Sequence, residues 1–146
     1  MTPFQLAVKF TLDHEGRYVF NPNDPGGETN YGIAKKSHPD VDITNLTIAG
    51  AMEIYKREYW DAYSLDPIPL PLCIAYFDSY VQHSPNSVRK MIEVGNGDLR
   101  AFIEARRQYY KRVEQNNPKT MVFDKGWMNR CNDLFKYCQI VMQDQI

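Results

Sequence analysis

The sequence changes character at residues 15–33, which read Glu15-Gly-Arg-Tyr-Val-Phe-Asn-Pro-Asn-Asp-Pro-Gly-Gly-Glu-Thr-Asn-Tyr-Gly-Ile33. Glycine, proline, asparagine and aspartate dominate this stretch, and these residue types favour turns. The tripeptide Asp24-Pro-Gly26 suits a tight turn, because proline fixes one φ angle and glycine accepts a positive one. We therefore predict a loop or a small irregular β-hairpin here, with only short β-like pieces.

The residues before this stretch predict a helix with a defined start. Thr2 is a candidate N-cap, Pro3 would occupy the first helical position, and Gln5 completes a capping box. An apolar stripe at helical spacing follows, formed by Phe4, Ala7, Val8, Thr11 and Leu12. Glu15 continues the stripe, and Gly16 is a natural stop for the helix. The sequence thus places a carboxylate on the inward face at the end of a helix.

The chain beyond the loop returns to helical patterns. One apolar stripe runs over residues 48–60, and a proline-rich link at 66–71 leads into a further segment at 72–83. Asp98 can cap another helix, and residues 127–142 carry a continuous apolar seam. The predicted fold is therefore a single, mainly α domain over residues 1–146, with one functional loop near its N-terminus.

Composition narrows the class of protein. The 146 residues suffice for one domain with a real core, and 43% hydrophobic and 24% charged residues are ordinary for a soluble globular protein. A net charge of -1 gives no reason to expect a nucleic acid partner. No stretch approaches the ~20 apolar residues that cross a bilayer, so membrane insertion is not expected. The N-terminus lacks the pattern of a secretory signal, which predicts synthesis in the cytoplasm without an export signal.

Metal and cysteine chemistry are not predicted. The three cysteines, Cys73, Cys131 and Cys138, form no CxxC pair. Cys131 and Cys138 lie two helical turns apart on an apolar stripe, where packing is expected. The histidines lack the spacing of a zinc site; they are His14, His38 and His83. The polar residues at 21–24 lack the ligand spacing of a calcium loop. We expect no metal and no cofactor.

We predict that Glu15 is the residue that bears chemistry. Cleavage of a glycosidic bond needs an acid that protonates the leaving oxygen and a carboxylate that serves the other face of the sugar. An apolar stripe and the negative end of a helix dipole both favour the neutral form of an acid at position 15. Asp24 is the first candidate for the partner carboxylate and Glu28 the second, while Thr29 offers a hydroxyl. Spacing alone also allows a helix-terminal acid and a turn aspartate without catalytic roles.

The loop carries a family resemblance. Glu15-Gly-Arg-Tyr-Val19, followed by Asn21-Pro-Asn-Asp-Pro-Gly-Gly-Glu-Thr-Asn-Tyr-Gly-Ile33, resembles the signature of glycoside hydrolase family 108. These are N-acetylmuramidases with a lysozyme-like fold, found in phages and bacteria, whose pattern runs Glu-Gly-Gly-Tyr, then Asp-Pro-Gly-Gly-x-Thr-Asn-Tyr/Phe-Gly-Ile. The resemblance implies a lysozyme-like helical domain with Glu15 as the catalytic acid. It carries Asp24 and Thr29 over as the rest of the catalytic set.

Further matches extend along the chain. Tyr55-Lys-Arg-Glu-Tyr-Trp60 and Phe77-Asp-Ser-Tyr-Val81 are similar to two segments of the family, and residues 107–110 and 126–130 resemble its C-terminal region. The resemblance implies a catalytic part over about residues 1–95 and a helical part over about residues 96–146 that is associated with peptidoglycan binding. The candidate substrate-binding residues are Tyr18, Glu28, Asn30, Tyr31 and Trp60.

The function that the resemblance implies is an endolysin-type muramidase. Its substrate would be the β-1,4 bond between N-acetylmuramic acid and N-acetylglucosamine in bacterial peptidoglycan. A chain without an export signal would reach the wall through a holin-type pore or as a virion component. The alternatives are a lytic transglycosylase and an inactive wall-binding or virion structural module.

Two departures from the family pattern keep the inactive alternative open. Arg17 replaces the second glycine of Glu-Gly-Gly-Tyr, and Val81-Gln-His-Ser84 stands where Val-Asn-x-Gly is expected. An arginine pointing at Glu15 would favour its anion and hinder acid catalysis. Pointing outward, Arg17 could bind carboxylates of the peptide stems.

Overall fold

The computed structural model describes residues 1–20, 22–23 and 27–144. The helices are α1 (Pro3–His14), α2 (Ile48–Tyr55), α3 (Leu72–Gln82), α4 (Pro85–Gly95), α5 (Leu99–Asn116) and α6 (Asp124–Asp144). The α2 helix runs directly into a π-helical segment, Lys56–Asp61, and a 3-10 segment, Pro118–Phe123, precedes α6. The strands are β1 (Val19–Phe20), β2 (Glu28–Asn30) and β3 (Ile33–Ala34). This architecture confirms the predicted mainly α fold with a small hairpin after the first helix.

The start of α1 is the predicted capping box. The backbone N–H of Gln5 donates to Thr2 Oγ1 at 3.1 Å, and the backbone N–H of Thr2 donates to Gln5 Oε1 at 2.8 Å. The end of the helix differs from the prediction, because Glu15 itself is the extended C-cap and its N–H donates to Thr11 O at 3.0 Å. The cap therefore needs no left-handed glycine at position 16.

The strands form an antiparallel sheet in the order β1-β2-β3. Val19 pairs with Thr29, and Thr29 pairs in turn with Ala34. The β1 strand lies at the sheet edge with both of its side chains exposed. The sheet is thus short, with an exposed edge at β1, and its buried residues are Asn30 and Ile33.

Residues Met1–Ser64 form one compact unit. Its core combines one face of α1 with side chains from α2 and the π-helical segment. Trp60 is 1% exposed and meets Phe4 edge to face, with ring centroids 5.6 Å apart. A π-helical turn spans one more residue than an α turn, and this segment brings Trp60 into the core of the unit.

Residues Leu65–Ile146 form the second compact unit, in which α3 is almost wholly buried. Asp78 on α3 accepts from Arg106 on α5 at 2.9 Å and from Arg130 on α6 at 2.7 Å. Burial alone would raise the pKa of Asp78, but the two guanidinium groups hold it well below its usual range. The three cysteines of this unit are free and buried, as the packing role predicted for Cys131 and Cys138 requires.

A histidine lies beside this charge network. His83 Nε2 is 2.9 Å from Tyr110 Oη. Burial lowers the pKa of His83 to about 3, and the positive charge of Arg106 acts in the same direction. The imidazole is therefore neutral in the folded protein near neutral pH.

Within the described residues, no helix combines the length and apolarity that a bilayer-spanning segment requires. The expected division near residue 95, between a catalytic part and a wall-binding part, stays a prediction.

Candidate active site

Glu15 lies where α1 ends, half-buried, and it lines an open groove of about 430 Å³. We call this the α1 groove. Its apolar lining comes from α1 and α2, and Arg17 and Tyr31 line it together with Glu15; the apolar residues are Val8, Leu12, Ile48 and Met52. The predicted carboxylate at the end of a helix is therefore accessible to a ligand from an elongated surface depression.

The turn that faces Glu15 has a strained backbone. Asn30 pairs with Ile33, so that only Tyr31 and Gly32 connect β2 to β3. Tyr31 has a φ of 53° and Gly32 a φ of 78°, which are the positive values of a type I′ hairpin. A bulky side chain rarely adopts this conformation, so contacts elsewhere must hold Tyr31 in place.

Gly32 packs directly against the carboxyl group of Glu15. A Cβ atom on residue 32 would lie 3.0 Å from Glu15 Oε2 and 2.5 Å from Tyr55 Oη. Glycine alone combines the positive φ with this close approach. The absence of a side chain at position 32 therefore sets how near the turn lies to the acid.

Tyr55 holds the turn in this position. Its hydroxyl donates a hydrogen bond of 2.7 Å to the backbone carbonyl oxygen of Tyr31. The side chain comes from the last residue of α2 and is 1% exposed, so its own position is fixed by packing. The sequence pattern places Tyr55 only in an apolar stripe, because its spacing does not indicate a long-range hydrogen bond to a turn.

Tyr59 extends the same group of aromatic residues from the π-helical segment. Its ring centroid is 5.7 Å from that of Tyr55, and its side chain is half-buried. Burial raises the pKa of Tyr59, and the negative charges of Glu58 and Glu15 contribute to the increase. The hydroxyl therefore stays protonated and can donate a hydrogen bond.

Arg17 is exposed and lies over the ring of Tyr31, with its Cζ atom 5.9 Å from the ring centroid. This is a cation–π distance. The aromatic ring thus gives the guanidinium a defined place beside the acid end of the α1 groove.

One face of β2 is occupied by structural hydrogen bonds. Glu28 Oε2 accepts from Tyr18 Oη at 3.0 Å and from Thr44 Oγ1 at 2.8 Å. Asn30 is 6% exposed, and its side-chain amide donates to the carbonyl oxygen of Ile43 at 3.0 Å. Side chains alternate along a strand, so the half-buried Thr29 points to the opposite face of the sheet.

Comparison with known proteins assigns the family. The sequence model of glycosyl hydrolase 108 matches residues 8–84, just over half of the chain. The chain belongs to glycosyl hydrolase family 108. A solved structure, that of Brucella abortus SagA, superposes with a TM-score of 0.74 at 22% sequence identity over 94% of both chains, which shows the shared fold. A comparison with curated proteins finds no match.

Membership of family 108 makes the chain a glycosidase in class and supports a peptidoglycan hydrolase. The matched residues include Glu15, the turn that faces it and the tyrosine that holds the turn. The family resemblance predicted from the loop is confirmed. The catalytic roles of individual residues stay predictions.

The structure places the predicted site residues in different surroundings. Glu15 and Tyr31 both line the α1 groove, and Tyr18 is exposed. Asp24, the predicted partner carboxylate, lies outside the described residues. Thr29 is half-buried in β2, and its role as a water-orienting hydroxyl stays a prediction.

The predicted substrate-binding set becomes smaller. Trp60 packs on Phe4 in the core, and a sugar ring has no face of the indole to stack on at 1% exposure. Asn30 is buried and anchors the segment at Ile43. We therefore withdraw Trp60 and Asn30 from the substrate-binding set. Glu28 is engaged by two hydroxyl groups, as a structural carboxylate would be.

Among the residues that the structure describes, no group of three or more histidine, cysteine, aspartate and glutamate side chains is arranged to hold a metal ion.

Proposed function

We propose that this family 108 chain is an N-acetylmuramidase, which hydrolyses the β-1,4 bond between N-acetylmuramic acid and N-acetylglucosamine in peptidoglycan. The supporting observation is the setting of Glu15. Its carboxyl group lies at the end of an open groove, pressed against Gly32 in a turn that Tyr55 holds. An acid that a ligand can reach, packed against a turn that is itself held in place, is suited to act as a general acid.

Glu15 acts in the proposed reaction as the general acid. Its carboxyl proton passes to the glycosidic oxygen while the bond from that oxygen to the anomeric carbon of the muramic acid breaks. A water molecule supplies the oxygen that the anomeric carbon gains, and one proton of that water finally restores a neutral carboxyl group. Burial keeps the nearby Tyr59 hydroxyl protonated, and the charge of Glu15 adds to the rise of its pKa.

Asp24 is the proposed second carboxylate, with Thr29 orienting the water. A separation of roughly 6.5–9.5 Å between the two carboxyl groups leaves room for a water that Asp24 activates, whereas roughly 5 Å makes Asp24 a nucleophile. The anomer first released distinguishes these two reactions. It can be read by proton NMR within the first minutes of digestion, before mutarotation.

The decisive test compares the wild-type chain with Glu15→Gln on purified cell walls. We expect the wild type to clear the suspension and the variant to retain about 1% or less of that rate, because a carboxamide is far too weak an acid to protonate the leaving oxygen. Reducing ends at N-acetylmuramic acid would support hydrolysis, and 1,6-anhydro ends would show a lytic transglycosylase. Equal clearing by both proteins would exclude Glu15. Wall binding without clearing by either would favour the inactive module.

The role of Asp24 is tested by Asp24→Asn, which should slow clearing by about 100-fold or more while wall binding persists. The matched control is Glu28→Gln, since Glu28 is a neighbouring carboxylate already bonded to Tyr18 and Thr44. A rate that falls only in Glu28→Gln would move the second carboxylate to that residue.

The biological setting is proposed as host lysis or wall entry. An endolysin-type enzyme would reach the wall after release through a holin-type pore, and a virion enzyme would be delivered with the particle. We propose in addition that the helical part from about residue 96 onward contributes to wall binding, which pelleting of a Glu15→Gln chain with insoluble walls would measure.

A further inference from the structure

Arg17, at which this chain departs from the family's Glu-Gly-Gly-Tyr motif, lines the α1 groove beside Glu15. Arg17 follows Glu15 by two positions, is exposed, and has its guanidinium 5.9 Å from the ring centroid of Tyr31. Stacking on a ring holds a guanidinium in place without neutralising its charge. The groove therefore presents a positioned cation beside the acid.

The other charges on the groove wall have a different character. Lys9 Nζ lies 2.9 Å from Asp13 Oδ2, and these residues form an exposed pair one helical turn apart on α1. Their charges largely cancel for an approaching anion. Arg17 instead offers a planar fork of N–H donors whose geometry matches both oxygens of a carboxylate.

The remaining groove wall suits a short peptide. Val8 and Leu12 on α1 face the same groove as Ile48 and Met52 on α2. The α1 residues that line it run from Gln5 to Asp13, a length of about 12 Å at 1.5 Å per residue. Three to four extended residues cover about 10–14 Å, so the groove accommodates a short peptide such as a peptidoglycan stem.

We propose that Arg17 binds a carboxylate of the peptide stem and makes the enzyme selective for stem-bearing glycan. This inference rests on the proposed muramidase function. Removal of a stem frees the carboxylate of the lactyl group of muramic acid, which Arg17 could bind in the same way. The experiment must therefore separate a stem carboxylate from the lactyl carboxylate.

Three substrates make that separation. The first is glycan with intact stems, the second is the same glycan with its stem carboxylates converted to amides, and the third is glycan stripped of stems by an amidase, which frees the lactyl carboxylate. We expect Arg17→Gln to raise KM on intact glycan by about threefold to tenfold with kcat within about twofold, the size of a partly exposed charged contact. On the amidated and the stripped glycan, the variant and the wild type should have the same KM.

Two further variants sharpen the comparison. Lys36→Gln removes an exposed cation of the same unit outside the groove lining and should leave KM unchanged on all three substrates. Arg17→Lys keeps the charge without the planar fork and should give an intermediate KM.

The opposite results are equally clear. A KM penalty on stripped glycan would assign the contact to the lactyl carboxylate and overturn the stem assignment. An unchanged penalty on amidated glycan would show that Arg17 acts through the fold or through Glu15. If the wild type cleaves none of the substrates, the muramidase proposal fails, and pelleting then tests the inference by itself. Arg17→Gln should reduce retention on intact walls and leave retention on amidated walls unchanged, and equal retention on both would overturn it.

Discussion

The hydroxyl of Tyr55 donates a hydrogen bond of 2.7 Å to the backbone carbonyl oxygen of Tyr31, the residue that precedes the glycine packed on Glu15. A buried side chain at the end of α2 thereby holds a turn with two positive φ angles. The acid, the turn and the tyrosine come from distant parts of the sequence. The bond links the second and third of these directly.

Removal of that bond should affect chemistry more than binding. In Tyr55→Phe the carbonyl oxygen of Tyr31 loses its donor and the turn can relax away from Glu15. We expect kcat to fall by about tenfold with KM within about twofold, and the free energy of unfolding to fall by about 1–2 kcal/mol. Steady-state kinetics and urea unfolding measure the two quantities. A rise in KM at unchanged kcat would contradict a positioning role.

A methyl group at position 32 should disrupt the site directly. Gly32→Ala imposes a positive φ on alanine and places Cβ 2.5 Å from Tyr55 Oη. Gly97→Ala is a matched control, because its φ is +83° and no described atom would lie within 4 Å of the new Cβ. Both variants should lose about 1 kcal/mol of unfolding free energy from backbone strain, and Gly32→Ala should lose more. Only Gly32→Ala should lose activity, by at least about tenfold. Equal activity in both would show that the close contact is unimportant.

The buried carboxylate of the second unit should be essential for its stability. Asp78→Ala leaves Arg106 and Arg130 without their shared partner, and Arg106 is fully buried. Loss of one member of a buried ion pair costs about 3–5 kcal/mol. Asp13→Ala, which breaks the exposed pair with Lys9, should cost about 1 kcal/mol or less. Chemical denaturation compares the two, and similar small losses would show that solvent reaches the Asp78 network.

Acid should weaken the protein through His83 before the carboxylates titrate. Its pKa falls from 6.5 in the unfolded chain to about 3 in the folded one, so between these values the unfolded state binds the extra proton. The stability contribution is complete above pH 6.5 and is lost as pH falls toward 3, with a slope of at most about 1.4 kcal/mol per pH unit. The urea midpoint should therefore be lower at pH 5 than at pH 7. His83→Gln should reduce that difference, and an identical difference in the variant would refute the assignment.

Local features of the fold were predictable because their causes are local. The Thr2 and Gln5 capping box, the start of α1 at Pro3 and the hairpin after it all follow from residues within a few positions of one another. The helix end was less predictable. Gly16 is a typical stop signal, yet Glu15 satisfies the cap by adopting an extended backbone.

Site residues were harder to predict because burial is a property of the whole unit. Trp60 and Tyr31 are both aromatic residues in family motifs, and the sequence predicts sugar binding equally for the two. Packing against Phe4 places Trp60 in the core, whereas the hairpin turn leaves Tyr31 in the groove. The departure at Arg17 was visible from the sequence, but the direction of its side chain depends on the ring of Tyr31.

The π-helical segment at Lys56–Asp61 makes the length of the chain there as important as its composition. If the same residues wound as an ordinary α-helix, each residue beyond the wide turn would rotate by up to about 100° around the axis, and Trp60 would leave Phe4. Removal of one residue from the wide turn would instead restore α-helical spacing and keep the later side chains facing as they do now. A single deletion within Lys56–Asp61 should therefore be tolerated better than a deletion in the regular part of α2, which would rotate every side chain after it by about 100°.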